Sequence, residues 1–400
     1  MAAAGDPNFP ASGLLIKPSN HAKSSGGEWD VFDSAEDIAS YGIAGRVWEA
    51  AYAARRYFSE AAEAGGSLEL DPVSSLFHPD SLQQQLTVLE LGAGAGYGGL
   101  HLCKCIETYR NRMAGSTSST KGQVQVLLTD LPNVQPLLDR NVARTREADP
   151  SLAHSIAIQA WPCAWGDKAH VDAILQHLCN RASSSSARPR PALSHILAAD
   201  LVYFPELFPP LLRSLIWLTE PSSLLSARTA APVPVDDVDA AGSPILTPEV
   251  IFTYKVRSLV KEQPFWAVFG AWFSFEAVLC RSTRSSDSAA AGEGRPTEQP
   301  SWRRFGERTS DVQSRRRTTV PLPVSAESSV SGAEDDESDQ QIYVFLARRK
   351  VHTFGWRAPD EDTALMDGRR EQWNMDGEGV QTVTELDDTF EMLLLNSIGL

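Results

Sequence analysis

The stretch Thr87–Gly99, TVLELGAGAGYGG, constrains this chain more than any other. An apolar run carrying one acid, Glu90, breaks into glycines at 92, 94 and 96. Glycines there let the backbone turn tightly and come close to a ligand, and the helix that follows aims its free N–H groups at it. Gly94, Gly96 and Gly99 also satisfy G-x-G-x-x-G, which leaves dinucleotide folds and methyl-donor folds both open. Glu90 tilts the choice. An anion two residues before the first glycine repels a pyrophosphate and suits hydroxyls or positive charge, such as the ribose, ammonium and sulfonium of S-adenosylmethionine.

Downstream, apolar runs alternate with helical patterns, which predicts a parallel sheet with helices on both faces. Val124–Asp130 reads as a buried strand ending in an acid, and an acid there can take both ribose hydroxyls of a nucleoside. It lies 40 positions after Glu90, against about 20 in the compact unit, and the loop GSTSSTKGQ accounts for the excess. Ser155–Trp161 reads as a third strand. Beyond it Trp165 either covers an adenine or seals the core edge. His195–Ala199 is a fourth strand, and Asp200 and Tyr203 project from its carboxyl end, where ligands of open α/β sheets bind. Val250–Val256, Phe273–Leu279 and Gln341–Arg348 complete seven strands, with PFWAVFGAW reading as a short aromatic helix before the sixth. The last two, with no helical pattern between them, imply an antiparallel hairpin of the sixth and seventh strands at the sheet edge.

Before the central strand, the spacing from Gly45 predicts an amphipathic helix, with Trp48 at its front as ligand wall or plain core. Residues 1–44 read as an extended N-terminal arm. The domain spans 45–350, with inserts at 113–122, 181–192, 221–248 and 281–340 expected to be disordered on composition. Residues 351–400 form an acidic tail that docks as a helix or stays loose.

The net charge of −15 over 400 residues disfavours tight nucleic-acid binding. Five cysteines, Cys103, Cys105, Cys163, Cys179 and Cys280, show no metal-ligand spacing and an odd count, which suits a reducing compartment. No metal site is expected. With neither a signal-peptide pattern nor a long apolar run, a soluble cytoplasmic protein with no membrane partner is the expectation. The run Arg315–Arg317 leaves nuclear access open.

Taken together, GRVWEAA (Gly45–Ala51), VLELGAGAG (Val88–Gly96), LLTDLPNV (Leu127–Val134), AWGD (Ala164–Asp167), ILAADLVYFPELFPPLL (Ile196–Leu212) and IFTYKVR (Ile251–Arg257) resemble a known family. It is the seven-β-strand, S-adenosylmethionine-dependent protein-lysine methyltransferases of methyltransferase family 16, which act on non-histone proteins. The resemblance implies a Rossmann-like doubly wound α/β fold in a single catalytic domain. It also implies that Trp48, Gly92, Ala93, Gly94, Asp130, Trp165 and Ala199 line the cofactor pocket, with Glu90 and Gly96 completing its first loop. Asp200 and Tyr203 correspond to the D-x-x-Y element beside the target amine. The implied partner is a translation factor or chaperone, and a monomer is expected. A methyltransferase for a small molecule or another side chain, and a non-catalytic binding scaffold, are the alternatives.

A sulfonium methyl is attacked by a neutral amine, whereas a free lysine titrates near about 10.4. Asp200 and Tyr203 are therefore expected to orient the amine while desolvation and the sulfonium favour its neutral form. Asp200 as an outright base is a weaker reading, because an ordinary carboxylate is a poor base.

Overall fold

The computed structural model describes residues 32–63, 65–114, 122–182, 192–221, 247–283, 301–306, 341–373, 379–383 and 386–398. The centres of the four expected inserts and the run Arg315–Arg317 lie outside the described residues.

The central strand β2 (Leu86–Leu91) is buried at all six positions, as a strand covered on both faces must be. It pairs in parallel with β3 (Val124–Asp130) and β5 (His195–Ala199). β4 (Ile156–Pro162) extends the sheet beyond β3, and β6 (Glu249–Lys255) extends it beyond β5. At the far edge β10 (Ile342–Arg349) lies antiparallel between β6 and β7 (Phe273–Ala277). The order β4-β3-β2-β5-β6-β10-β7 is the doubly wound seven-stranded sheet expected from the alternating pattern, including its antiparallel edge.

Side chains alternate between two cores, as the period of two in a strand requires. Leu89, Leu91, Ile196, Ala198, Val250 and Phe252 pack into one core. It also takes in α6 (Lys168–Ala182), α7 (Phe208–Leu218) and α8 (Leu259–Trp272). Val88, Leu197, Ile251 and Val344 face the other, with α2 (Glu49–Ala62), α3 (Tyr97–Ala114) and α4 (Gln135–Ala148).

Four features depart from the sequence expectation. Part of the region read as an extended arm is folded: α1 (Ala35–Tyr41) is capped by Ser34, whose hydroxyl accepts the Asp37 N–H, and a 3-10 turn follows over Gly42–Gly45. The sixth strand stops at Ala277, because after Val278 the chain leaves the sheet as β8 (Leu279–Ser282). β8 pairs with β1 (Leu68–Asp71) and with the short β9 (Arg303–Arg304), so the start of the fourth insert and a piece within it are structured. The PFWAVFGAW segment is not a short helix but the latter part of α8, a full 14 residues long.

Helix α8 is apolar all round, a pattern that demands cover on two sides. The sheet covers one. The other is covered by the C-terminal segment, which docks rather than staying loose: α10 (Thr389–Ile398) stacks Phe390 on Trp266 at 5.0 Å, and the Asp387 N–H donates to the Ala267 carbonyl. Lys350 and Asp387 close the same contact at 2.9 Å. Between β10 and α10, Arg213 of α7 reaches Asp362 at the start of α9 (Asp362–Met366), at 2.5 Å.

Candidate active site

The chain leaves β2 toward one side of the sheet and β5 toward the other, so a crevice opens where their carboxyl ends diverge. A cavity of about 440 Å³ fills it, within the range of small-molecule pockets. Among the expected site residues Trp48, Glu90, Gly92, Ala93, Gly94, Asp130, Trp165, Ala199, Asp200 and Tyr203 line it. Gly96 does not. At φ 79° it closes the turn against Leu128 and Leu138, which a Cβ would meet at 3.2 Å, so it shapes the loop from behind.

The loop's glycines are fixed by close packing against the rest of the protein. Gly92 and Gly94 hold φ values of 59° and 54° in the left-handed region. A Cβ at Gly92 would stand 2.7 Å from the Trp165 ring and from Leu201. One at Gly94 would stand 2.9 Å from the Ala44 carbonyl oxygen. The turn after α1 therefore presses directly on the glycine loop, and Tyr41, Gly42, Ile43 and Ala44 form a wall of the cavity. Trp48 holds that wall: its Nε1–H donates to the Ile43 carbonyl at 3.1 Å.

Two carboxyl groups sit at the floor. Asp130 accepts the Gly94 N–H at 2.8 Å and the Leu131 N–H at 2.7 Å, tying the loop to the end of β3. Burial raises its pKa, partly offset by those two bonds. Glu90 accepts the Gly99 N–H at 3.0 Å within the first turn of α3. Burial pushes it up to about 8, against the Gly99 bond and with help from the Asp130 charge. Gly98 and Gly99 are small because Glu90 lies there: a Cβ on either would come within 2.7 Å of its carboxylate oxygens. Of these, the sequence reading used Gly99 only as a motif position and gave Gly98 no role.

At the opposite wall, Asp200 is buried and is a non-glycine residue with positive φ, 64°. Its carboxylate is gripped at both oxygens by Arg257, with Nη1 donating to Oδ1 at 2.7 Å and Nη2 to Oδ2 at 2.5 Å. Asp200 is thus not a lone acid facing the cavity. Tyr203 stands in edge contact with Trp165, ring centroids 6.4 Å apart. Burial, then the charges of Asp130 and Asp200, raises its pKa, so its hydroxyl remains a neutral donor.

The donor set fits a nucleoside carrying positive charge and no phosphate. The cavity's two arginines are committed: Arg257 to Asp200, and Arg46 to Glu49 at 3.4 Å. Arg46 and Arg257 also lie over the Trp48 ring, at 4.5 and 5.6 Å. Cys163 lines the cavity as a thiol, pushed up to about 12 by burial and then by Asp130 and Asp167, which removes it as a nucleophile. Among the described residues no cluster of three or more His, Cys, Asp or Glu could hold a metal ion, no disulfide joins the cysteines, and no helix is long and apolar enough to cross a membrane.

A doubly wound seven-stranded sheet with its last strand inserted antiparallel, and an acidic, glycine-walled cavity at the switch point, define a methyltransferase-class domain. A family model described as lysine methyltransferase matches residues 30–230, and the chain belongs to that family, methyltransferase family 16. No curated protein matches the chain. The match begins just before α1 and ends beyond α7, so Arg257 lies outside it.

Proposed function

We propose that this protein is an S-adenosylmethionine-dependent N-methyltransferase that modifies a lysine side chain of a non-histone protein, of the translation-factor or chaperone class, in the cytoplasm and with nuclear access as a second option. The observation that carries it is that the acids Glu90 and Asp130 and the pair Asp200 and Tyr203 line one cavity. When bound, S-adenosylmethionine supplies a methyl whose carbon–sulfur bond breaks as a carbon–nitrogen bond forms to a neutral amine; sulfur leaves as a thioether, and the nitrogen's added positive charge is lost as a proton to water.

The chain's own residues supply binding and orientation. Asp130 is suited to the ribose hydroxyls and Glu90 to the positive end of the cofactor. Gly92, Ala93 and Gly94 allow close approach of the backbone, with Trp48 and Trp165 as walls. Ala199, with nothing beyond Cβ, keeps the end of β5 open. Tyr203 donates a hydrogen bond to the acceptor amine, and Asp200 orients it, which concentrates the reactive geometry.

The test incubates the purified protein with radiolabelled S-adenosylmethionine and heat-treated cell extract, followed by gel separation. A discrete labelled protein band, absent with Asp200→Ala, is the expected result. Label confined to small molecules would move the acceptor class, and an Asp200→Ala protein that labels at the wild-type rate would sink the assignment of that residue.

A further inference from the structure

We propose that Arg257 is a positioning residue that, through Asp200, keeps the acceptor amine unprotonated at neutral pH; this rests on the methyl-transfer reading above. Asp200 is nearly inaccessible, its backbone N–H donates to the Thr253 carbonyl at 2.8 Å, and its φ of 64° is a strained setting for a side-chain-bearing residue. Both oxygens are spent on the Arg257 fork, which leaves one lone pair on each for an acceptor.

An uncompensated carboxylate beside a lysine amine holds it as ammonium, because an opposite charge favours the charged form. Ammonium has no lone pair and cannot attack carbon. Arg257 offsets the carboxylate at its source, so Asp200 can align the amine without retaining its proton. The arginine is itself fixed. Its backbone N–H donates to Glu262 of α8 at 3.1 Å and its Nη1 to the Lys255 carbonyl at 3.2 Å. Burial lowers its pKa, but Asp200, Glu49 and Glu262 outweigh burial and hold the guanidinium charged.

The other charged and titratable groups facing the pair are accounted for. Glu49 of α2 is shared with Lys255 at 3.3 Å and with Arg46. Glu262 accepts the Tyr254 hydroxyl as well. Tyr203 and Glu206 belong to the loop after β5, Tyr203 being neutral, and Asp130 stands across the cavity, bonded to the glycine loop.

The experiment measures the rate of label transfer, at saturating acceptor, into proteins of heat-treated extract from about pH 6.5 to 9.5, where the limb belongs to the bound amine. It compares wild type, Arg257→Gln, Arg257→Lys and Asp200→Asn/Arg257→Gln. Melting temperature and calorimetric binding of S-adenosylhomocysteine are read on each. In Arg257→Gln the acidic limb should move up by about one pH unit, a tenfold loss near neutrality that recovers at alkaline pH. Arg257→Lys should keep the wild-type midpoint with a lower plateau, and the double variant should return toward the wild-type midpoint. A uniform drop at every pH, or complete inactivity of Arg257→Gln with normal binding, means a merely structural role and overturns the proposal. Should Arg257→Gln fail to fold, Arg257→Met, which keeps the stem and removes the charge, is read in the same way: an acidic limb moved up supports the proposal, and a uniform drop overturns it. A wild-type protein that neither labels an acceptor nor binds S-adenosylhomocysteine overturns the methyl-transfer reading and this inference with it.

Discussion

The Glu90 carboxyl accepts the Gly99 N–H at 3.0 Å, so the acid of β2 sits inside the first turn of α3. Burial pushes it up to about 8, well above its ordinary value. The stability it contributes is complete below the ordinary carboxyl range and is lost as pH rises through about 8. Melting scans across that window should show wild type losing stability toward alkaline pH and Glu90→Gln losing much less. Parallel curves for the two proteins would contradict the assignment.

His195 behaves oppositely. It is buried at the start of β5, bonded to Ser75 and Ser194 at 2.9 Å each, and burial holds it down at about 4. Its contribution is present above the ordinary histidine value and lost as pH falls through about 4. His195→Gln should melt below wild type at pH 7, and the gap should narrow as acid is added. A constant gap down to pH 4 would count against a neutral buried imidazole.

Gly94→Ala places a methyl 2.9 Å from the Ala44 carbonyl at a φ of 54°. The left-handed backbone alone costs about 1–2 kcal/mol. The larger effect is on binding, because the turn at Gly42–Gly45 must lift from the loop. Calorimetry should show S-adenosylhomocysteine affinity reduced at least about tenfold while the protein stays folded by circular dichroism. Unchanged affinity would show that the turn adapts freely.

Phe390→Ala removes a buried ring stacked on Trp266 and in edge contact with Tyr254. A loss of about 3–5 kcal/mol in denaturant unfolding is expected, as for other buried aromatics. A loss below about 1 kcal/mol would mean that α10 is an appendage and not part of the core.

Where one residue type and its immediate neighbours decide a structure, the chain could be read directly. β2, β3 and β5 are apolar runs ended by glycine or acid, and their carboxyl ends bring Glu90, Gly92, Asp130, Ala199 and Asp200 to the cavity. What escaped reading depends on contacts between distant segments. Asp200 and Arg257 meet although 57 residues separate them, and nothing near either names the other. β1 presents one buried position in four and β9 is two residues long, so neither has a period to detect. Helix α1 is short and polar, and its Asp37 is held by Arg140 of α4 at 2.5 Å. The docking of α10 follows from the all-round apolarity of α8, a signal present in the sequence but resolved only once the sheet is known to cover just one side.

The position of β10 bears on how this protein is made. It joins β6 to β7, yet a ribosome completes both of those strands before it reaches Ile342. The residues between Lys255 and Arg349 take roughly 5–20 s to add at ordinary elongation speeds. Throughout that interval the backbone edges of β6 and β7 have no partner, and Phe252, Tyr254 and Phe275 lack the strand that buries them. The sheet is therefore open along those edges until β10 has been made, and it closes only when that strand arrives.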